Sequence, residues 1–287
     1  MLQNIFPKKF NFFLELIRFN KPIGFMLLMW PCLFSLALIE ENQHQLFNYY
    51  IFFIIGSFLM RSAGCIVNDL VDINIDNKIE RTSNRPLTSG NLSIKEAFFL
   101  LSFLLLLSFF ILLQFSIHSI LIGLASVPLI IIYPFMKRYT YWPQLCLGLI
   151  FSWGILIVSV EFYNKINFHF LLLYISCIFW TLGYDTIYAY QDREDDLQNN
   201  IKSTAVLFGS KGNFFVIFVY SIFFLIIGFL GYKSSSSFLS IMVIIPFIFA
   251  MIIYLNKWNL NSKNSSNYYF KFNNVIGLFC FVFLMIF

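Results

Sequence analysis

Apolar runs long enough to cross a hydrocarbon layer recur along the whole chain. A helix needs about 17–25 residues to span roughly 30 Å of lipid. Runs of that kind lie at 23–40, 46–67, 96–116, 118–136, 143–160, 167–190, 213–232, 237–256 and 269–287. They predict an all-α, polytopic bundle of about nine transmembrane helices, a single membrane domain over residues 1–287 with no appended soluble one. Only the segment from Gln114 to His118 separates the third run from the fourth, so that boundary is set by few residues. The polar loops at about 68–95 and 191–212 are expected to cap whatever site the bundle holds.

Basic residues orient the bundle, because lysine and arginine accumulate on the cytoplasmic side of membrane proteins. Lys8, Lys9, Arg18 and Lys21 precede the first run; Lys78, Arg81, Arg85 and Lys95 follow the second; Lys137 and Arg138 follow the fourth. Arg193, Lys202 and Lys211 follow the sixth, and Lys257, Lys263 and Lys271 are assigned to the connection between the last two. Under nine alternating spans these sixteen fall on one face and only Lys165 and Lys233 on the other. A missed helix would scramble that division, so it supports the count and predicts a cytoplasmic N-terminus.

Composition agrees. Charged residues make up 11% and hydrophobic ones 59% of the 287 residues, against about 25% charged in an ordinary soluble domain. The 39 phenylalanines accompany abundant Ile, Asn and Lys, a coding bias that lowers the meaning of any single aromatic. Five cysteines stand singly in apolar stretches without a C-x-x-C pair, which reads as inert buried thiols. The first residues show neither a signal-peptide cleavage pattern nor an organellar transit pattern. A bacterial inner membrane is the expected location.

Chemistry enters with the aspartates. All seven fall in two clusters, Asp69, Asp72 and Asp76 in one and Asp185, Asp192, Asp195 and Asp196 in the other. If the second helix continues through its cluster, Asn68, Asp72 and Asp76 recur at i, i+4 and i+8 on one face. On the sixth helix Asp185, Asp192 and Asp196 stand at i, i+7 and i+11. Ordinary solvated helix-end acids would explain one such residue, but carboxylates at membrane depth are costly without a partner. Oxygen-only sets of this kind suit Mg²⁺, which is commonly held by a few carboxylates together with substrate phosphates. His44, His118 and His169 sit in or beside the opposite loops, which argues against a histidine-ligated metal. A proton or sodium pathway would place its acids nearer the membrane midplane.

In these motifs the chain resembles the UbiA-type membrane prenyltransferases. The family's N-D-x-x-D-x-x-x-D stands as Asn68, Asp69, Asp72 and Asp76, its Y-x-x-x-K as Tyr133 and Lys137, and its D-x-x-x-D as Asp192 and Asp196. The likeness is nearest to the branch acting on 4-hydroxybenzoate for ubiquinone synthesis. It is carried by Gly64 to Asp69, Arg81 to Leu87, Gly183 to Ala189, and the run from Lys202 to Ala205. The opening from Arg18 to Gly24 also matches, with Asn20 where Asp is commoner, and Asn200 stands where Gly is usual.

The resemblance implies a nine-helix fold and Mg²⁺-dependent transfer of a polyprenyl group from its diphosphate to the acceptor ring, meta to the carboxylate. Asp69, Asp72, Asp76, Asp192 and Asp196 would hold two Mg²⁺ ions, with Asn68 as ligand or orienter. Lys137, beside Tyr133, would neutralise the leaving group, and Arg81, Arg85 and Lys202 would contact the diphosphate. Arg61, the one basic residue in the interior of a predicted span, lies seven residues before Asn68 on nearly the same face. Its planar guanidinium fits the acceptor carboxylate, although a structural pair with an aspartate would also explain it. Asp185 and Tyr188 are assigned to the substrate side; the proton acceptor is left open between Asp185 and diphosphate. Phe179, Tyr184 and Tyr188 could shield a carbocation, although packing is the commoner role. The expected partners are the two substrates and the bilayer, not nucleic acid. The alternatives are another acceptor (haem, naphthoate or chlorophyllide type) and a cation-coupled transporter. A CDP-alcohol phosphotransferase is set aside because its continuous signature is absent.

Overall fold

The fold is given by a computed structural model that describes residues 8–40, 43–77 and 82–287. Every element among them is helical. α1 (Lys8–Leu16) precedes α2 (Ile23–Ala37) and the long α3 (Gln43–Asp76), followed by α4 (Ile94–Leu112). The fourth span is divided into α5 (Ile117–Ala125), α6 (Val127–Ile132), a 3₁₀ turn (Tyr133–Phe135) and α7 (Met136–Tyr139). The fifth comprises α8 (Pro143–Phe151) and α9 (Gly154–Tyr163). Then come α10 (Phe168–Ala189), α11 (Arg193–Gln198), α12 (Thr204–Phe208), α13 (Gly212–Ser235), α14 (Phe238–Asn256) and α15 (Lys263–Ile286).

Eight helical spans among the described residues are long and apolar enough to cross a membrane, and α2 is a shorter apolar helix. The chain is a multi-pass membrane protein. Its outer faces are apolar where a soluble protein would be charged: Phe99 is 78% exposed, Phe214 76% and Met242 70%. In water such surface would drive aggregation, so lipid is its natural solvent.

Proline and serine account for the break in the fourth span. The Ser126 hydroxyl donates to the Gly123 carbonyl, Pro128 opens α6 and Pro134 lies in the 3₁₀ turn. Proline is tolerated in a first helical turn but not in a helix interior. α4 begins with a capping box, in which the Ser93 hydroxyl accepts from the Glu96 N–H and Glu96 accepts from the Ser93 N–H.

α10 packs on α8, α13 and α15, and α2 packs on α3, α9 and α15. The larger apolar core lies among α2, α8, α9, α10, α13 and α15. Its polar centre is Asn273, whose amide oxygen accepts from Trp180 Nε1 (2.8 Å) and Tyr220 OH (2.6 Å) while its nitrogen donates to two backbone carbonyls. A smaller core joins Leu16 of α1 to Leu59, Ala63 and Ile66 of α3, Leu87 and Leu92 of the loop, and Ala97 and Leu101 of α4.

The first acidic cluster is helical as expected, since α3 runs on to Asp76. The second is not an extension of its span. α10 ends at Ala189, Tyr190 caps it, and Asp192 is the N-cap residue of the separate α11. Tertiary contacts turn the chain there: Tyr190 OH donates to the Gly209 carbonyl and Arg193 Nε to the Ala205 carbonyl. Glu194, Asp195 and Asp196 then occupy the first turn of α11, where the helix dipole favours acids. Asn200 adopts φ +54°, a left-handed conformation that Asn tolerates, so it does the work of the expected glycine.

Candidate active site

Carboxylates and basic groups meet at one mouth of a cavity of about 1740 Å³. Asn68, Asp69, Asp72 and Asp76 of α3 share its wall with Asp192 and Asp196, Arg85, Lys137, Tyr133 and Lys202. Further in are Arg61, Asp185 and Tyr188. Every residue assigned above to the metal, the diphosphate or the acceptor therefore lines this one cavity except Arg81, which lies outside the described residues. Phe179 packs against the larger core and is not part of the cavity wall, whereas Tyr184 is part of it.

Burying three aspartates on one helix requires opposite charge nearby. Asp69, Asp72 and Asp76 are 1%, 1% and 3% exposed. Arg18 Nη2 donates to both oxygens of Asp69, at 2.8 and 2.7 Å. Arg85 Nη1 bridges Asp69 (2.9 Å) and Asp76 (2.7 Å). Lys137 Nζ donates to Asp72 Oδ2. Arg138 Nη2 is 3.9 Å from Asp72 Oδ1, an oxygen that is buried without a hydrogen bond.

Arg18 was missed as a site residue, since 51 positions separate it from Asp69. Its φ of 60° is left-handed, and its Nη1 donates to the Glu15 carbonyl. Non-glycine residues held in that region cluster at functional sites. The match from Arg18 to Gly24 was the only signal for it. α15 adds Asn267, Lys271 and Asn274, none of which the sequence marked for the site. Lys271 belongs to that helix and not to a connecting loop.

Lys137 joins the two clusters. Its backbone carbonyl accepts from the Lys202 N–H (3.0 Å), which seats the second loop beside it. Burial pushes the Asp196 carboxyl up to about 7; Asp192 adds to the rise, while the Ser203 hydroxyl and Lys137 oppose it. Ser203 donates to Asp196 at 3.1 Å. Lys202 Nζ donates to the Tyr139 carbonyl and lies 5.7 Å from the Tyr141 ring centre.

Arg61 is held differently. Its guanidinium lies 5.6 Å from the Phe151 ring centre, and its buried Nε has no hydrogen-bond partner. A Cβ on Gly24 would come within 2.7 Å of that Nε, so glycine lets α2 and the guanidinium approach. Neither Arg61 nor Asp185 forms an ion pair among the described residues, although each lies within the other's electrostatic reach.

The donor set suits a hard divalent cation, because it offers carboxylate and amide oxygens and the unpartnered Asp72 Oδ1. Among the described residues no three His, Cys, Asp or Glu groups converge by themselves. An ion there would be held jointly by carboxylates and the oxygens of an incoming phosphate.

Deep, ionic at one mouth and apolar in its body, the cavity defines a membrane-embedded site for an amphiphile bearing a phosphate-type head. The chain belongs to the UbiA prenyltransferase family, whose profile matches residues 28–276. It is 39% identical over 284 residues to a 4-hydroxybenzoate octaprenyltransferase of Blochmanniella pennsylvanica, covering 96% of each chain. A protein of the same name from a Marinomonas species is 44% identical over 210 residues, 73% of this chain and 74% of that one. In fold it matches the apo UbiA homolog of Aeropyrum pernix K1, with TM-score 0.74, 18% identity and coverage of 92% and 97%. The UbiA homolog of Archaeoglobus fulgidus bound to GPP and Mg²⁺ matches with TM-score 0.67, 15% identity and coverage of 96% and 99%.

Proposed function

We propose that the protein transfers a polyprenyl group from its diphosphate to 4-hydroxybenzoate, meta to the carboxylate, releasing diphosphate on the route to ubiquinone. The observation that carries the acceptor is Arg61: a half-buried guanidinium on the cavity wall, without an ion pair and with a buried Nε that has no hydrogen-bond partner. An unpaired cation at membrane depth is costly unless a ligand supplies the anion, and a planar acid supplies it in bidentate form. The relatives named as 4-hydroxybenzoate octaprenyltransferases agree with an aromatic acid acceptor and a long isoprenoid donor.

In this reading Asp69, Asp72, Asp76, Asp192 and Asp196, with Asn68, would hold two Mg²⁺ ions where the donor's diphosphate binds. When bound, Mg²⁺ supplies Lewis-acid polarisation and cancels charge on the departing oxygen. Lys137 offsets leaving-group charge beside Tyr133, while Arg85, Lys202 and Arg81 hold the phosphate oxygens. Tyr188 and Asp185 flank the ring. The tail follows the apolar wall, where Leu105 and Phe109 of α4 and Leu124, Val127 and Ile130 of α5 and α6 line the cavity. Other faces of these helices expose Phe103, Leu121 and Ile131, so the tail can extend toward lipid.

Membranes carrying the protein, given 4-hydroxybenzoate, octaprenyl diphosphate and Mg²⁺, should form the prenylated acid. EDTA, Asp72→Ala and Asp192→Ala should each abolish it, and titration of Mg²⁺ by calorimetry with donor present should give two ions per chain. No product from folded protein across several tail lengths would remove the acceptor. We place the protein in the bacterial inner membrane with its N-terminus and both loops cytoplasmic, as one membrane domain. A periplasm-active reporter fused after Phe287 should then be active, and an inactive one would reverse the topology.

A further inference from the structure

We infer that Asp185 is the base that removes the ring proton from the acceptor. This rests on the acceptor reading above. Asp185 lies in α10 four residues from its cytoplasmic end, about 6 Å along the axis at roughly 1.5 Å per residue. Its side chain lines the cavity with Arg61, Tyr133 and Tyr188 around it. Asp69, Asp72, Asp76 and Asp196 are engaged by Arg18, Arg85, Lys137 or Ser203. Asp185, in contrast, has no hydrogen bond or ion pair among the described residues, although it sits within a membrane span. Arg61 shares the wall without closing on it. A carboxylate and a guanidinium that share one cavity within electrostatic reach, yet form no ion pair, each keep a hydrogen-bonding edge open to a ligand.

That arrangement sets the chemistry. With its carboxylate on Arg61, the acceptor ring lies at the level of Asp185, inward of the diphosphate. As the donor's C–O bond breaks, the electron pair leaves with diphosphate, and the ring carbon ortho to the hydroxyl forms the new C–C bond. That carbon then carries both the prenyl group and its original hydrogen. Asp185 takes the hydrogen as a proton, the C–H electrons restore the aromatic ring, and the proton passes to water at the cytoplasmic mouth. The other side chains facing the ring, the phenols of Tyr133 and Tyr188 and the guanidinium of Arg61, offer no anionic oxygen; diphosphate, the remaining candidate, would leave Asp185→Asn fully active.

The test compares 4-hydroxybenzoate with its ring-3,5-dideuterated form, in wild type, Asp185→Asn and Asp185→Glu. Wild type should show no isotope effect on kcat, since C–O cleavage precedes proton loss. Asp185→Asn should lose about 10²–10⁴-fold in kcat, the usual contribution of a positioned base. It should also acquire a normal primary isotope effect, with half-saturation by Mg²⁺ and donor unchanged. Asp185→Glu keeps the carboxylate and should retain more turnover than Asp185→Asn; it carries the test if Asp185→Asn does not fold. Full activity in Asp185→Asn, or a slowed variant without an isotope effect, would overturn the assignment. Wild type inert toward 4-hydroxybenzoate would instead overturn the acceptor reading, before any variant is compared.

Discussion

Replacing Lys137 by Met should separate metal binding from turnover, moving them in opposite directions. Lys137 Nζ is bonded to Asp72 Oδ2; its side chain is 24% exposed and that of Asp72 1%. Breaking a fully buried ion pair costs about 3–5 kcal/mol and an exposed one about 0–1. Lys137 is reached by water on one side, so the metal-free variant should lose about 2 kcal/mol, or roughly 5 °C in melting temperature. The same substitution frees Asp72 from a competing cation. Unit charges about 4 Å apart interact by about 4 kcal/mol at an effective dielectric of 20. A flexible ammonium can swing aside, which leaves about 1.4 kcal/mol, or roughly a tenfold gain in Mg²⁺ affinity. Because the leaving group then lacks its cation, kcat should fall about 10²–10³-fold. The assay is Mg²⁺ half-saturation of turnover, alongside melting in detergent with and without Mg²⁺. A folded variant whose Mg²⁺ requirement is unchanged or higher would refute the view that Lys137 holds the metal's place.

Arg61→Ala should raise the acceptor KM about 10–100-fold, from the loss of charged hydrogen bonds worth about 1.5–3 kcal/mol, and leave the donor KM as it was; equal rises in both would point to general disruption. Asp196 should make Mg²⁺ binding pH-dependent, because its carboxyl, raised by burial to about 7, holds a proton below that value. Mg²⁺ affinity should therefore fall as pH drops through about 7. The stability of the metal-free protein has the opposite sign: the folded form binds the extra proton, so stability declines as pH rises through the same window. Flat profiles between pH 6 and 8 would count against both statements. Asn273→Leu should cost about 2–4 kcal/mol by stranding the Trp180 and Tyr220 donors, read as a lower melting temperature with an unaltered Mg²⁺ requirement.

The spans were legible because each apolar run is longer than any soluble core requires, and the first motif because nothing between Gln43 and Asp76 breaks helical periodicity. The second motif misled in register. No Gly or Pro lies between Ala189 and Arg193, so the turn there comes from contacts with Gly209 and Ala205 that no local pattern reveals. Arg18 was hidden for the same reason, its partner being on another helix. The division of the fourth span was written in Pro128 and Pro134, but hydropathy alone passed over it. Arg61 stood out in the sequence only as a charge in an apolar run; its use depends on α8 supplying Phe151 and α10 supplying Asp185.

The salt-bridged first cluster has a consequence for which molecules the site admits. Asp69, Asp72 and Asp76 are answered by Arg18, Arg85 and Lys137, three negative charges against three positive. Within that cluster the paired charges already balance. A bare divalent ion entering it would create an excess of positive charge, and a metal-free diphosphate an excess of negative charge. Both are costly where water is scarce. A metal–diphosphate pair, with most of its charge cancelled beforehand, enters at much lower cost. If these carboxylates receive the metal, the internal ion pairs would act as a filter on charge parity: the head group and its metal would enter together, and the carboxylates would exchange one set of counter-ions for another.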